Sequence, residues 1–283
     1  MPELPEVEAI RRGLEPDLVG RSIARVRQSW GRSTAPQTPA WFRSHVEGQK
    51  ISGTGRIGKY LKIHFASGDT LVIHLRMTGQ LRVTPEAGRH VSAETPVRYE
   101  RLHFELDNAS CLRFFDQRKF GRAWLVTAGE GRNFKSLARL GCDALDPAFT
   151  AARFQTLLCV RRRQIKPLLL DQSVIAGLGN IYVDEALFCS GIHPLSISQS
   201  VPAARLKQLW KAMRDVLTES IRYQGTTFRD YRTARGERGG FFERLQVYGR
   251  GGKACVNCGK KILKLRVAQR GTHVCARCQR KFA

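Results

Sequence analysis

Residues 171–191, DQSVIAGLGNIYVDEALFCSG, decide the fold. Gly177 and Gly179 interrupt two short helical runs, so the stretch reads as a helix, a tight glycine turn and a second helix. Such a turn can present backbone N–H groups to a phosphate at a helix start. Glycines that merely end a helix give the same letters, and the segment alone leaves both readings open.

Upstream of this stretch the period is two. Leu61, Ile63 and Phe65 alternate with Lys62 and His64, a turn follows at 67–70, and Leu71, Ile73 and Leu75 alternate again. Leu102, Phe104 and Leu106, a turn at Asp107 and Asn108, then Leu112 and Phe114 repeat the hairpin. Successive short strands predict an antiparallel β-sandwich over residues 1–131. In front of it Val7, Ile10 and Leu14 share a helix face, with Pro16 expected to end or kink that helix and Gly20 to close it. Downstream, residues 202–224 place Leu206, Leu209, Trp210, Met213, Leu217 and Ile221 on one face. The fold class expected is therefore α+β in two domains, with a helical part over 132–245 and a cysteine-rich end over 246–280.

The chain carries 48 Lys+Arg against 24 Asp+Glu, net +24, with a pI near 10.5. That excess repels itself in a compact fold and makes most sense opposite a polyanion, nucleic acid first. An anionic membrane is the other candidate, but the sequence has no apolar run of about 18 residues and no amphipathic anchor with a basic face. The N-terminus is acidic and polar and not a signal peptide, so a cytoplasmic, nucleoid-associated protein is expected. From Ile221 onward 16 Lys+Arg face only 3 Asp+Glu, and 226–240, TTFRDYRTARGERGG, has no apolar period and reads as a mobile basic loop.

Cys255-x2-Cys258-x16-Cys275-x2-Cys278 has the spacing of two zinc knuckles. Four thiolates close a tetrahedral site and leave no position for water, so one structural Zn2+ is expected. Arg266, Arg270 and Arg277 decorate this hairpin and suit a phosphate. Cys111, Cys142, Cys159 and Cys189 lie scattered among apolar neighbours and are expected to be buried free thiols.

The chain begins MPELPEV. Once Met1 is removed, Pro2 is a secondary amine flanked by Glu3 and Glu6. An α-amino group, which ordinarily titrates at about 7.7–8.0, is partly neutral near pH 7, whereas a lysine at about 10.4 is not. Its iminium with a sugar aldehyde has no nitrogen proton to lose and stays an electron sink. Pro5 and the glutamates also suit an ordinary helix start, so these letters do not decide the matter by themselves.

Together, MPELPEV, GNIYVDEALF and the paired CxxC knuckles in one basic chain resemble formamidopyrimidine-DNA glycosylase over nearly the whole length. The resemblance implies a bifunctional base-excision repair enzyme for damaged double-stranded DNA, acting as a monomer. It removes oxidised purines and then cuts the strand by β,δ-elimination. It also implies an N-terminal helix and β-sandwich, a helix-two-turns-helix domain carrying a lesion-capping loop at 226–240, and a zinc hairpin. Pro2 would be the nucleophile, Glu3 the acid/base at the sugar, and Glu6 an ordering residue. Lys59 matches the proton donor for β-elimination and Arg270 the hairpin arginine of δ-elimination. Guanidinium holds its proton above a pKa of about 12, so Arg270 is expected mainly to clamp phosphates.

Met77, Arg118 and Phe120 match the residues inserted where the damaged base leaves the stack. Lys166, Asn180, Tyr182 and Arg161 match DNA contacts. Arg101 stands where many relatives have a DNA-contacting histidine. The related endonuclease VIII enzymes, which favour oxidised pyrimidines, tend to begin MPEGPE and lack this Met, Arg, Phe set, so Leu4 favours the purine branch. Two alternatives stay open: a zinc DNA-binding protein without catalysis, and an endonuclease VIII-like specificity.

Overall fold

The computed structural model describes residues 1–84, 97–130 and 134–283. The chain divides into a unit of Met1–Ala138 with Tyr223–Gly240 and a unit of Arg139–Arg222 with Phe241–Ala283. The domain boundary expected at 131/132 falls outside the described residues.

The first unit begins with α1 (Leu4–Leu18), whose Leu4, Val7, Ile10, Leu14 and Leu18 are fully buried, each worth about 1.5–3 kcal/mol of transfer free energy. Pro16 neither ends nor bounds this helix. It lies in the last turn, where its missing N–H removes one intrahelical bond, and Val19 still donates to the Glu15 carbonyl at 3.1 Å. The chain then turns out through Gly20 at φ +87.

β1 (Ile23–Gln28) and α2 (Pro39–Val46) follow, the latter capped by Thr38, which accepts from the Trp41 N–H at 3.2 Å. Seven more strands come next: β2 (Ile51–Ile57), β3 (Tyr60–Phe65), β4 (Thr70–His74), β5 (Gln80–Thr84), β6 (Glu100–Leu106), β7 (Cys111–Phe115) and β8 (Arg122–Val126). They form two antiparallel four-stranded sheets, β1-β6-β7-β5 and β2-β3-β4-β8. The alternating residues meet as their period requires, with Leu61 opposite Ile73 and Phe104 opposite Leu112, and they fill one core with α1. β8 shows no alternation in the sequence because both its faces are covered. Ala123 and Leu125 enter the core, while Trp124 and Val126 pack outside it on Val72, with Phe134 just before the short α3 (Lys135–Ala138).

The basic segment 226–240 packs against the first unit instead of hanging free. Tyr231 and Ala234 join its core, Thr226 bridges Gly240, and the Val83 N–H donates to the Ala234 carbonyl at 3.3 Å. The segment therefore does not belong with the helical part, as its place in the sequence suggests.

In the second unit, β9 (Cys142–Asp143), α4 (Ala151–Cys159), α5 (Ile165–Leu170), the parallel partner strand β10 (Ile175–Ala176) and α6 (Asn180–Cys189) lead to the long α7 (Ala203–Arg222). α6 is buried from Ile181 to Phe188, which makes it the centre of this unit. Glu185 in it accepts from the backbone N–H groups of Gln246, Val247 and Tyr248 at 2.9, 2.9 and 2.7 Å, pinning the chain that leads to β11 (Leu263–Val267) and β12 (Arg270–Val274). Burial pushes that carboxyl above its ordinary range, and the three donors oppose the shift. Of the four scattered cysteines, all free, Cys111 is buried as expected, but Cys142 is half-buried and Cys159 and Cys189, the last residues of α4 and α6, are exposed. Among the described residues no helix is long and apolar enough to cross a membrane.

Candidate catalytic site and zinc hairpin

Pro2, Glu3 and Glu6 are buried at the start of α1. The Glu3 N–H donates to Glu6 Oε2 at 2.7 Å, and Glu6 Oε1 accepts from the Thr226 N–H at 2.8 Å. One carboxylate thereby ties the helix start to the root of the 226–240 loop. Gly225 is required at that root: its φ is +83, and a Cβ there would come within 2.9 Å of Glu6 Cγ. Tyr231 Oη donates to the Gln224 carbonyl at 2.9 Å, and burial together with the Glu6 charge pushes its phenol well above the usual range.

Lys59 is buried in the turn between β2 and β3. Opposite Tyr60, His74 packs edge-on with ring centroids 4.6 Å apart. Burial, then the charges of Arg76 and Lys59, drive the His74 pKa down to about 3. The neutral ring is what this turn requires. His74 Nδ1 accepts from the Arg76 N–H at 2.9 Å, holding Arg76 at φ 54, and the next residue is Met77.

Met77 and Phe120 are 42% and 49% exposed and stand together. Arg118 joins them: its Nη1 lies 3.0 Å from Met77 Sδ and its guanidinium 4.8 Å from the Phe120 ring centroid. Two turns, after β4 and after β7, thus bring the three residues singled out as a wedge into one exposed group.

In the second unit Cys255, Cys258, Cys275 and Cys278 place their sulfurs within 4.8 Å of one another, with Cys255 to Cys278 at 3.8 Å and Cys258 to Cys275 at 3.5 Å. A tetrahedron with Zn–S near 2.3 Å has edges of about 3.8 Å, so the four residues fit one structural zinc. The β11–β12 turn sets Ala268 and Gln269 at φ 45 and 63, a primed hairpin turn built without glycine. Arg270 follows it, exposed. Beside it, Asn180 Nδ2 donates to the Gly271 carbonyl at 2.8 Å from the first residue of α6.

Three expected DNA contacts lie inside the protein. Lys166 has no exposed surface, and its ammonium donates to Asp184 Oδ1 at 2.6 Å, Thr272 Oγ1 at 2.8 Å and the Gly271 carbonyl at 3.2 Å. It anchors the zinc hairpin from inside the unit. Tyr182 is a core residue whose hydroxyl pairs with Ser220 Oγ at 2.6 Å. Arg101 is buried, with Nε donating to the Asp116 carbonyl at 2.8 Å and Nη1 to the Arg98 carbonyl at 3.1 Å. Arg161 is half-buried at the end of α4, with Nη1 on the Leu157 carbonyl at 2.6 Å. Asp116, Asp184 and Glu185 carry no separate role among the residues expected from the sequence, although the last two lie within GNIYVDEALF.

A helix that starts on buried carboxylates, an exposed wedge and a zinc-clamped hairpin of arginines are the equipment of a DNA glycosylase of base-excision repair, and comparison with known proteins agrees. Three family models match: the formamidopyrimidine-DNA glycosylase N-terminal domain over residues 1–123, its H2TH domain over 140–232, and the zinc finger found in FPG and IleRS over 252–280. The chain belongs to the formamidopyrimidine-DNA glycosylase family.

The formamidopyrimidine-DNA glycosylase of Pelotomaculum thermopropionicum is 41% identical over 280 residues, covering 99% of both chains, and that of Symbiobacterium thermophilum is 44% identical, covering 99% of this chain and 89% of the relative. A Lactococcus lactis FPG mutant solved with DNA containing Fapy-dG superposes with a TM-score of 0.89 at 32% identity, covering 99% of this chain and 100% of that one. The wild-type Lactococcus lactis enzyme solved with DNA containing an oxidised pyrimidine gives 0.88 at 32%, with the same coverage.

Proposed function

We propose that the chain removes oxidised purines, 8-oxoguanine and formamidopyrimidines among them, from duplex DNA and then cuts the strand at the resulting abasic site. The observation that carries this reading is the buried Pro2–Glu3–Glu6 start of α1. After Met1 is removed, the Pro2 nitrogen attacks C1′ of the sugar and the base departs with a proton. Glu3 moves protons at the sugar, which for a positioned carboxylate is worth about 100- to 10,000-fold in rate. With a proton delivered to O4′ the C1′–O4′ bond opens to an iminium, which draws electrons from C2′, so loss of a C2′ proton expels the 3′ phosphate, and a second elimination expels the 5′ phosphate. Lys59 is the proton donor of the first elimination and Arg270 steadies the leaving phosphates. Met77, Phe120 and Arg118 fill the gap left by the flipped nucleotide, and Asn180 and Arg161 contact the backbone. Bound zinc supplies no chemistry here; it holds the hairpin that carries Arg270.

Borohydride reduction with abasic DNA is the test. The wild type should give a covalent adduct and Pro2→Gly should not, whereas DNA binding without any trapped species would leave a zinc DNA-binding protein. Because a Lactococcus lactis relative has been solved on an oxidised pyrimidine, a pyrimidine-directed specificity is the second reading. Faster release of thymine glycol than of 8-oxoguanine would establish it. We further read the chain as a cytoplasmic, nucleoid-associated monomer, which sedimentation of the free protein checks.

A further inference from the structure

The two turns that carry the wedge share one buried carboxylate. Asp116 is 1% exposed at the end of β7, and its side chain accepts three hydrogen bonds. Oδ1 takes the Thr78 hydroxyl from the Met77 turn and the Arg118 N–H at 3.2 Å, and Oδ2 takes the Gly121 N–H at 2.6 Å. The Arg118 N–H also lies 3.2 Å from Thr78 Oγ1, so the hydroxyl sits between the turns. Each turn closes on a glycine that admits no side chain. A Cβ on Gly79 would meet the Leu75 carbonyl oxygen at 2.3 Å, and one on Gly121 would meet Phe114 Cζ at 2.3 Å.

The Asp116 backbone is held as well, by the Tyr99 carbonyl on its N–H at 2.8 Å and the Arg101 guanidinium on its carbonyl at 2.8 Å. On the far side of the turn Lys119, at φ 59, lays its ammonium 4.3 Å from the Trp30 ring centroid.

We infer that Asp116 is a positioning residue for base eversion, with Thr78 and Arg101 as its two arms, fixing the distance between Met77 on one turn and Arg118 and Phe120 on the other. This rests on the wedge role proposed above. A wedge replaces lost stacking only if its parts stand at one separation, and a buried carboxylate with three donors fixes a separation where two free turns do not. Arg101, expected at the DNA surface, works from beneath the turn instead.

The test uses the full-length zinc-loaded chain. Thr78→Val removes the bridging hydroxyl and Thr78→Ser keeps it, while Asp116→Asn removes one acceptor. On duplex DNA with a lesion, Thr78→Val and Asp116→Asn should lose about tenfold or more in single-turnover base release, the scale of one or two hydrogen bonds, and Thr78→Ser should recover it. The 2-aminopurine signal of a nucleotide beside the lesion should rise more slowly by the same factor. Borohydride trapping on an abasic site in single-stranded DNA, where no stack must be replaced, should keep the wild-type rate.

Equal loss on both substrates would show a general folding defect and overturn the inference, as would unchanged eversion in Thr78→Val. A wild type that traps no abasic DNA would instead overturn the proposed chemistry.

Discussion

The two units fix their working residues by different means. In the β-sandwich unit the Pro2–Glu3 helix start and the two wedge turns are held by hydrogen bonds to two buried carboxylates, Glu6 and Asp116. In the helical unit the hairpin bearing Arg270 is held by a four-sulfur zinc site and by the buried Lys166–Asp184 pair. A hydrogen-bonded turn can be loosened by one atom, whereas a metal site holds or fails as a whole, so the units should fail differently. Removing zinc is the strongest way to break the contrast, because a structural zinc is worth about 10–16 kcal/mol to the fold it closes. Chelation should abolish DNA binding and leave the β-sandwich folded, read by salt-dependent DNA titration and by circular dichroism. Normal binding by the zinc-free chain would remove the hairpin from the DNA interface.

Lys166 gives the next largest effect. Its ammonium and the Asp184 carboxylate are both fully buried, and Asp184 Oδ2 also accepts the His273 N–H at 2.9 Å. Truncating one member strands the other charge, a loss of about 3–5 kcal/mol, so Lys166→Met should lower urea stability by that amount. Replacing both, Lys166→Met with Asp184→Leu, should restore most of it if the pair itself contributes little net energy. Should Lys166→Met prove neutral in stability while weakening DNA binding and flattening its salt dependence, the surface role expected from the sequence would be right after all.

That reversal shows where the sequence was legible. Period-two alternation in 61–75 and 102–114 located both central hairpins, because each strand there has one covered face. It said nothing of β8, whose two faces are both covered. The cysteine spacing located the zinc site because ligand geometry is local in the chain. Burial of a charge is not local. Lys166 and Arg101 look like any basic residue until α6 and β12, or the turn after β7, are known to close over them. The 226–240 segment misled for the same reason: Tyr231 and Ala234 reach the core from a run of arginines with no period to mark them.

The smallest expected effect separates the units by pH. His74 has a folded pKa of about 3 against an ordinary 6.5, so the native ring is neutral and protonation favours the unfolded chain. Its contribution is complete above pH 6.5, declines below that, and is gone once the pH passes below about 3. Between pH 7.5 and 5 the linkage amounts to roughly 2 kcal/mol. Urea unfolding of the wild type and His74→Gln at both values measures it, and the wild type should lose that much more than the variant. The ring protonates only when the turn opens, and a protonated ring cannot accept from the Arg76 N–H on reclosing, so opening of the Met77 turn should cost less in the same window. Amide exchange at Arg76 should quicken toward pH 5 relative to its intrinsic rate, while the zinc hairpin amides keep their protection. Parallel stability curves for the two proteins would mean that His74 is solvated and that this turn is held by other groups.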